Sequence, residues 1–192
     1  MGPAVDVLLR ILDEAGYRAD VRAYPSVRVR ALVESGDLDI SIATRVWDKD
    51  NIVLFPDTPF GEQKIGLFWR GTAHDVGSLA QLDGKTVIVP LGQFTPAALL
   101  KKKAPLAIMR ESRDFEGAIA MLQNGRADYL LDWENPVRSQ LDHLGLTLRH
   151  LSLPPVYTYV VVGRRVPDAE GIIRRIDAVM KKLTAEGKLP QR

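Results

Sequence analysis

Apolar residues recur along this chain first at the spacing of a helix, then in short strand-like runs, and the exchange repeats to its end. Val5, Leu8, Leu9 and Leu12 stand at i, i+3, i+4 and i+7, which predicts an amphipathic helix ending near Gly16. Residues 17–24 then read as a strand. Pro25-Ser26 opens a second helix that runs to Gly36, and residues 39–43 form the next strand. Residues 44–59 are loop-like, with Pro56, Pro59 and a cluster of polar side chains, and residues 64–70 are strand-like. Residues 78–84 read as a short capped helix and turn, and 85–90 as a strand. After a turn at 92–94, Thr95 is the expected N-cap of a helix with Pro96 at its first position. A short strand at 107–110 follows, then a helix face marked by Phe115, Ile119 and Leu122, and a strand over 128–132. Residues 134–145 read as helix, 146–151 as strand and the β-branched run 157–162 as strand. Ile172, Ile173, Ile176, Val179, Met180 and Leu183 mark a long closing helix.

One phrase occurs twice. Ala31-Leu-Val-Glu-Ser-Gly36-Asp-Leu-Asp39-Ile-Ser-Ile returns as Ala120-Met-Leu-Gln-Asn-Gly125-Arg-Ala-Asp128-Tyr-Leu-Leu. Each copy is a helix end, a Gly suited to a left-handed C-cap, a turn, an Asp and an apolar strand. Two such units imply two similar α/β lobes and therefore a cleft in which a ligand can sit. Alternating strands and helices imply mostly parallel sheets joined by right-handed crossovers. The strands at 64–70 and 157–162 break that alternation. If both cross between lobes, residues 1–69 plus 156–192 make a discontinuous first lobe and residues 70–155 the second, with the paired crossings as a hinge.

Composition narrows the function. The 192 residues are 46% hydrophobic and 26% charged, which is ordinary for a globular protein. With 26 basic and 24 acidic residues the net charge is +2, so no strong basic field invites nucleic acid. Lys101-Lys102-Lys103 falls late in a predicted helix, where cations complement the dipole. There is no cysteine, hence no disulfide and no thiolate metal site. No apolar run approaches the roughly 20 residues a membrane-spanning helix needs. Phosphate-loop, zinc-protease and serine-hydrolase motifs are absent, and Gly92-Gln93-Phe94 lacks the dinucleotide glycine pattern. His74, His143 and His150 show no metal-ligand spacing. No cofactor is expected.

Several stretches, taken in order, resemble the type-2 periplasmic solute-binding proteins, in particular the family that serves polar amino acid ABC importers. Gly2-Pro-Ala-Val-Asp6-Val-Leu is similar to the start of that family's first helix. Pro25 through Gly36, ending in Glu34-Ser35-Gly36-Asp37-Leu38-Asp39, keeps the register of its second. Ser78-Leu-Ala-Gln-Leu-Asp-Gly84-Lys-Thr-Val-Ile-Val resembles the approach to its second lobe, Gly125-Arg-Ala-Asp128 its second-lobe repeat, and Ala185-Glu-Gly187 the end of its last helix. The resemblance implies a two-lobe fold with two hinge strands, a small polar ligand, an ABC permease or other membrane receptor as partner, and a periplasmic location. It also implies a signal peptide and a first, central strand ahead of the first helix, whereas Met1-Gly2-Pro3 leads straight into that helix. A start placed downstream, a trimmed chain and a fold without that strand all fit. The expectation is that a neighbouring chain, as in a homodimer, or a rearranged sheet fills the place, since bare strand edges are a liability.

The same resemblance implies where the ligand is held. The family grips a carboxylate with an Arg after its third strand; counting back from Phe55-Pro56-Asp57, that position is Lys49, a point charge rather than a bidentate fork. Arg45, four residues earlier, is the alternative, and Thr44 matches the family's hydroxyl contact. Arg45, Asp48, Lys49 and Asp50 equally read as loop charges pairing with one another. Trp47 either caps a pocket or packs against its own lobe. Ser26 stands where an aromatic usually follows the Pro. In the second lobe Gln93, Phe94 and Thr95 form a helix-opening turn whose free N–H groups favour an anion, and Thr95 matches the family's hydroxyl residue. Asp132 and Glu134 flank Trp133 where the family places an acid for the ligand's amino group, one residue off the commonest spacing. Asp132 is preferred, and it also reads as a plain N-cap. Solute binding for ABC-type import is therefore the leading expectation. A cyclohexadienyl-dehydratase-like enzyme using Asp132 or Glu134 as acid or base, and a ligand-sensing domain without transport, are its rivals.

Overall fold

The computed structural model describes residues 3–48, 50–71 and 75–189. In chain order the elements are α1 (Pro3–Glu14), α2 (Ser26–Ser35), β1 (Ile40–Ala43), a 3-10 turn (Arg45–Trp47), β2 (Val53–Leu54), β3 (Gly61–Gln63) and β4 (Ile65–Trp69). A second 3-10 turn (Leu79–Leu82), β5 (Thr86–Pro90), α3 (Phe94–Lys103), β6 (Ile108–Ser112), α4 (Phe115–Gln123) and β7 (Tyr129–Trp133) follow. The chain closes with α5 (Glu134–Leu144), β8 (Arg149–Ser152), β9 (Val156–Gly163) and α6 (Ala169–Ala185). These elements divide into two compact units, Met1–Glu62 with Tyr157–Arg192, and Gln63–Val156. Among the described residues no helix is long and apolar enough to cross a membrane.

The first unit is built on β9. Its β-branched run suits a central strand, and Val160, Val161 and Val162 are all fully buried. The sheet order is β1-β9-β2, with β3 also on β9, and both β1 and β2 run antiparallel to it. α1 and α6 cover this sheet through Ile11, Leu12, Ile173, Ile176, Met180 and Leu183. The buried stripe of α1 is Ile11 and Leu12 with Leu8 and Ala15 beside them, so Val5 and Leu9 stand at its margin.

The second unit is a five-stranded sheet of order β6-β5-β7-β4-β8. β5 pairs with β6 and β7 in parallel, whereas β4 pairs antiparallel with β7 and β8. Leu67, Val87, Val89, Tyr129 and Leu131 pack on one face with Leu100 of α3. Phe68, Ile88 and Leu130 pack on the other with α4 and α5 through Ile119, Leu122, Val137 and Leu141. Strand alternation thus sorts neighbouring residues into two cores.

Several expectations change. Residues 17–24 form no strand, because no neighbouring strand accepts their backbone groups and they lie largely exposed. Residues 44–59 are not all loop, since the Arg45–Trp47 turn and β2 fall within them. The sheets are less parallel than strand–helix alternation implies. β1 and β2 run antiparallel to β9, and β4 runs antiparallel to both of its neighbours, so only the β6-β5-β7 part of the second sheet is parallel. β4 lies within the second unit's sheet rather than crossing between lobes, which moves the division to Glu62/Gln63. Two sequence features keep their predicted geometry: Gly36 and Gly125 follow α2 and α4 in the left-handed conformation, at φ 88° and 64°.

Candidate functional site

In the second unit the three parallel strands β5, β6 and β7 all run out at one end of the sheet and lead into α3, α4 and α5. Open α/β sheets bind ligands at that carboxyl end, where helix N-termini offer unbonded N–H groups. After β5, Gly92 at φ 83° turns the chain and Gln93 becomes the N-cap of α3. Thr95 is therefore inside the first turn rather than the cap expected for it, and its side chain is buried at 6% exposure. Pro96 is still accommodated, since N–H groups of a first helical turn have no intrahelical acceptor. Phe94 is half-buried at the start of the helix.

At the end of β7 the indole Nε1 of Trp133 donates to Oε1 of Gln93 at 2.8 Å, tying the ends of two strands together. Trp133 packs on the α3 side of the sheet, and Asp132, the preceding residue, takes the opposite face with Leu130. Asp132 lies within β7, opposite Gly66 of β4, so the N-cap expected of it falls instead to Trp133. It is 9% exposed, and its Oδ1 accepts the Trp133 N–H at 2.8 Å. Burial pushes its carboxyl up to about 6, against the opposing pull of that N–H.

Glu134, the first residue of α5, is 5% exposed. Its Oε1 lies 3.5 Å from Nη1 of Arg138 and 3.8 Å from Nε2 of His150, while its Oε2 is buried with no hydrogen-bond partner. His150 in turn stacks on Phe68, with centroids 5.7 Å apart. His143 sits in the last turn of α5, and His74 lies outside the described residues. Among the described residues no group of three or more His, Asp or Glu is placed to hold a metal.

The close passage of β4 beside these acids depends on Gly66. A Cβ there would stand 2.6 Å and 2.7 Å from the ring of Phe68, which is itself 1% exposed, and 3.4 Å from Cβ of Glu134. Gly66→Ala is expected to cost about 1–3 kcal/mol of stability by overpacking, read as a lower urea midpoint at unchanged slope.

In the first unit the candidate residues follow β1. Thr44 is buried at 5% exposure and precedes the Arg45–Trp47 turn, whose Trp47 N–H donates to its carbonyl at 3.0 Å. Trp47 is 8% exposed, and Arg30 of α2 holds it, donating to its carbonyl and lying 5.6 Å over its ring while pairing with Asp50. These contacts tie Trp47 to α2 of its own unit. Asp48 is occupied by the backbone, accepting Ile52 N–H at 2.6 Å and Val53 N–H at 3.2 Å. Lys49 lies outside the described residues.

The expected mutual pairing of these loop charges therefore leaves Arg45 out. Its guanidinium lies 5.0 Å over the ring of Phe55 and 4.7 Å over that of Tyr159, two rings themselves in edge contact at 5.6 Å. Arg45 is exposed, and among the described residues no carboxylate pairs with it. Two aromatic faces thus fix a cation in place and leave its fork of donors to solvent. The sequence reading missed Phe55, Tyr159, Arg30, His150 and the Trp133–Gln93 bond. Only Trp133 had a local signal, as the residue between the two acids.

No protein-family model matches the chain, and no curated protein matches its sequence. Solved structures match it closely in fold. An ancestral arginine-binding protein bound to arginine superposes at TM-score 0.78 and 19% identity, over 98% of this chain and 84% of that one. An amino acid ABC transporter substrate-binding protein from Streptococcus pneumoniae, bound to L-arginine, gives 0.73 at 20% identity, over 98% and 79%. An ancestral amino acid-binding protein that is a precursor of cyclohexadienyl dehydratase gives 0.73 at 17% identity, over 98% and 81%. At such identities the likeness establishes the fold: the chain has the α/β fold of the type-2 periplasmic binding proteins.

Proposed function

We propose that the protein binds a small polar solute, an amino acid or a related compound, as the substrate-binding component of ABC-type import. The observation that carries this reading is Arg45, an exposed guanidinium held over Phe55 and Tyr159 with no carboxylate partner among the described residues. A planar fork fixed in that way is a receptor for a ligand carboxylate. Thr44 stands beside it in sequence. In the second unit, the Gln93–Thr95 turn and Trp133 supply polar donors and an apolar face at the carboxyl end of the parallel strands. Asp132 and Glu134 supply the complement to an ammonium group. Asp132 accepts a single N–H and Glu134 keeps one oxygen unpartnered, so both have acceptor capacity that a cationic ligand would use. The two solved relatives in fold that carry arginine support this class of ligand. The implied partner is an ABC permease, and the implied compartment is the periplasm.

Calorimetric titration of the purified chain with the common amino acids and with polyamines tests this. Saturable heat with at least one amino acid is expected, whereas no response to any of them, by calorimetry or by thermal shift, removes the reading.

A second reading is favoured by one observation, the carboxyl of Asp132 held near pH 6 by burial. A carboxyl at that value serves as a general acid at neutral pH, and a precursor of a dehydratase shares the fold. Turnover of a cyclohexadienyl acid that is lost in Asp132→Asn would establish it; binding without turnover leaves the solute-binding reading in place.

A further inference from the structure

We propose that residues 18–24 are a self-complementary strand through which two copies of this chain pair. The segment is the connection between α1 and α2, closed on one side by Gly16 at φ 87° and on the other by Pro25. Its sequence, Arg18-Ala-Asp-Val-Arg-Ala-Tyr24, alternates polar and apolar positions without exception. That is the pattern of a strand with one covered face. Among the described residues it has no ladder partner: it is irregular, Val21 is 38% exposed, and only Tyr24, with Arg28 lying 5.0 Å over its ring, is covered in part. A strand pattern with unpaired backbone groups is a template for another chain.

The charges choose which chain. In an antiparallel pair of identical segments centred on Val21, Val21 faces Val21 and Ala19 faces Ala23. On the other face Asp20 stands opposite Arg22 twice, and Arg18 opposite Tyr24 twice. Opposite charges directly across an antiparallel pair stabilise it, and an arginine over a tyrosine ring adds a cation–π contact. Moving the centre to Asp20 sets Asp20 against Asp20 and Arg18 against Arg22, and moving it to Arg22 sets Arg22 against itself. A one-residue slip puts Ala19 opposite Arg22 and mixes the two faces. The register centred on Val21 is the one that pairs the whole segment with every pair matched, and it has the twofold symmetry of an isologous dimer. Within one chain Arg22 now reaches back to Asp20, with Nη2 at 2.7 Å from Oδ2 and both side chains exposed, so the two charges are available for exchange across a dimer axis.

Sedimentation of the full chain at stepwise increasing concentration tests this. The mass is expected to rise from the monomer's 21.3 kDa toward twice that value. D20R puts arginine opposite arginine and is expected to abolish the rise; the double variant D20R/R22D exchanges the two charges and is expected to restore it. Both positions are exposed, so circular dichroism should be unchanged in each variant. A wild-type chain that stays monomeric throughout, a dimer that survives D20R, or a double variant as monomeric as the single one overturns the proposal.

Discussion

Arg45→Ala is expected to weaken amino-acid binding by about 30-fold to a few thousandfold while leaving the protein almost as stable as before. The first figure follows from what a desolvated, hydrogen-bonded charge pair is worth when one partner is removed, about 2–5 kcal/mol. The second follows from the position of the guanidinium. It is exposed and lies over Phe55 and Tyr159, and an exposed cation–π contact contributes only about 0.5–1 kcal/mol. Binding and stability therefore separate, which a merely structural arginine would not allow. Arg45→Lys sharpens the test. It keeps the charge but loses the planar fork, so it should recover only part of the affinity and bind carboxylate ligands with less discrimination. Titration calorimetry beside urea unfolding reads both quantities. A ligand that binds Arg45→Ala as tightly as the wild type would move the carboxylate elsewhere and leave the rings of Phe55 and Tyr159 as a surface packing device.

Much of the scaffold was legible from pattern alone, and the reasons are local. Gly36 and Gly125 follow helix ends with an Asp and an apolar run close behind, and each marks the passage from helix to strand, α2 to β1 and α4 to β7. Residues 18–24 misled for the opposite reason: their alternation is a strand's, but a strand exists only with a neighbour, and local sequence does not say whether one is there. The start of α3 shows a finer limit. Thr95-Pro96 has the residues of a cap, yet the left-handed turn at Gly92 begins the helix earlier and carries Thr95 inside. At the candidate site the residue types were readable and their partners were not. Arg45 could be named from its loop, but Phe55 and Tyr159 come from the far side of that loop and from β9. Asp132 could be named from its place after the repeat. Its burial in β7 opposite Gly66 is decided by the pairing with β4, which lies far earlier in the chain.

That pairing leads to the second large effect. The carboxyl of Asp132 is raised by burial from its ordinary 3.8 to about 6, so the native state holds this proton more tightly than the unfolded chain does. Stability then falls as pH rises through the window between those two values, and the full loss is present above it. A shift of about two units amounts to about 3 kcal/mol. Asp132→Asn removes the titration while keeping an oxygen that can accept the Trp133 N–H. The difference in unfolding free energy between variant and wild type should be near its minimum below pH 4. It should grow in favour of the variant up to about pH 7 and then level off. The ligand experiment runs in the opposite direction. If the ammonium group rests against Asp132, the variant that folds more firmly should bind far less, and wild-type affinity should drop as the pH is taken below 6, where the carboxylate is lost. A variant that gained no stability at pH 8 would mean that the buried carboxylate is compensated by something other than the Trp133 N–H. One that gained stability and kept its affinity would pass the ammonium to Glu134, whose Oε2 is buried without a hydrogen-bond partner.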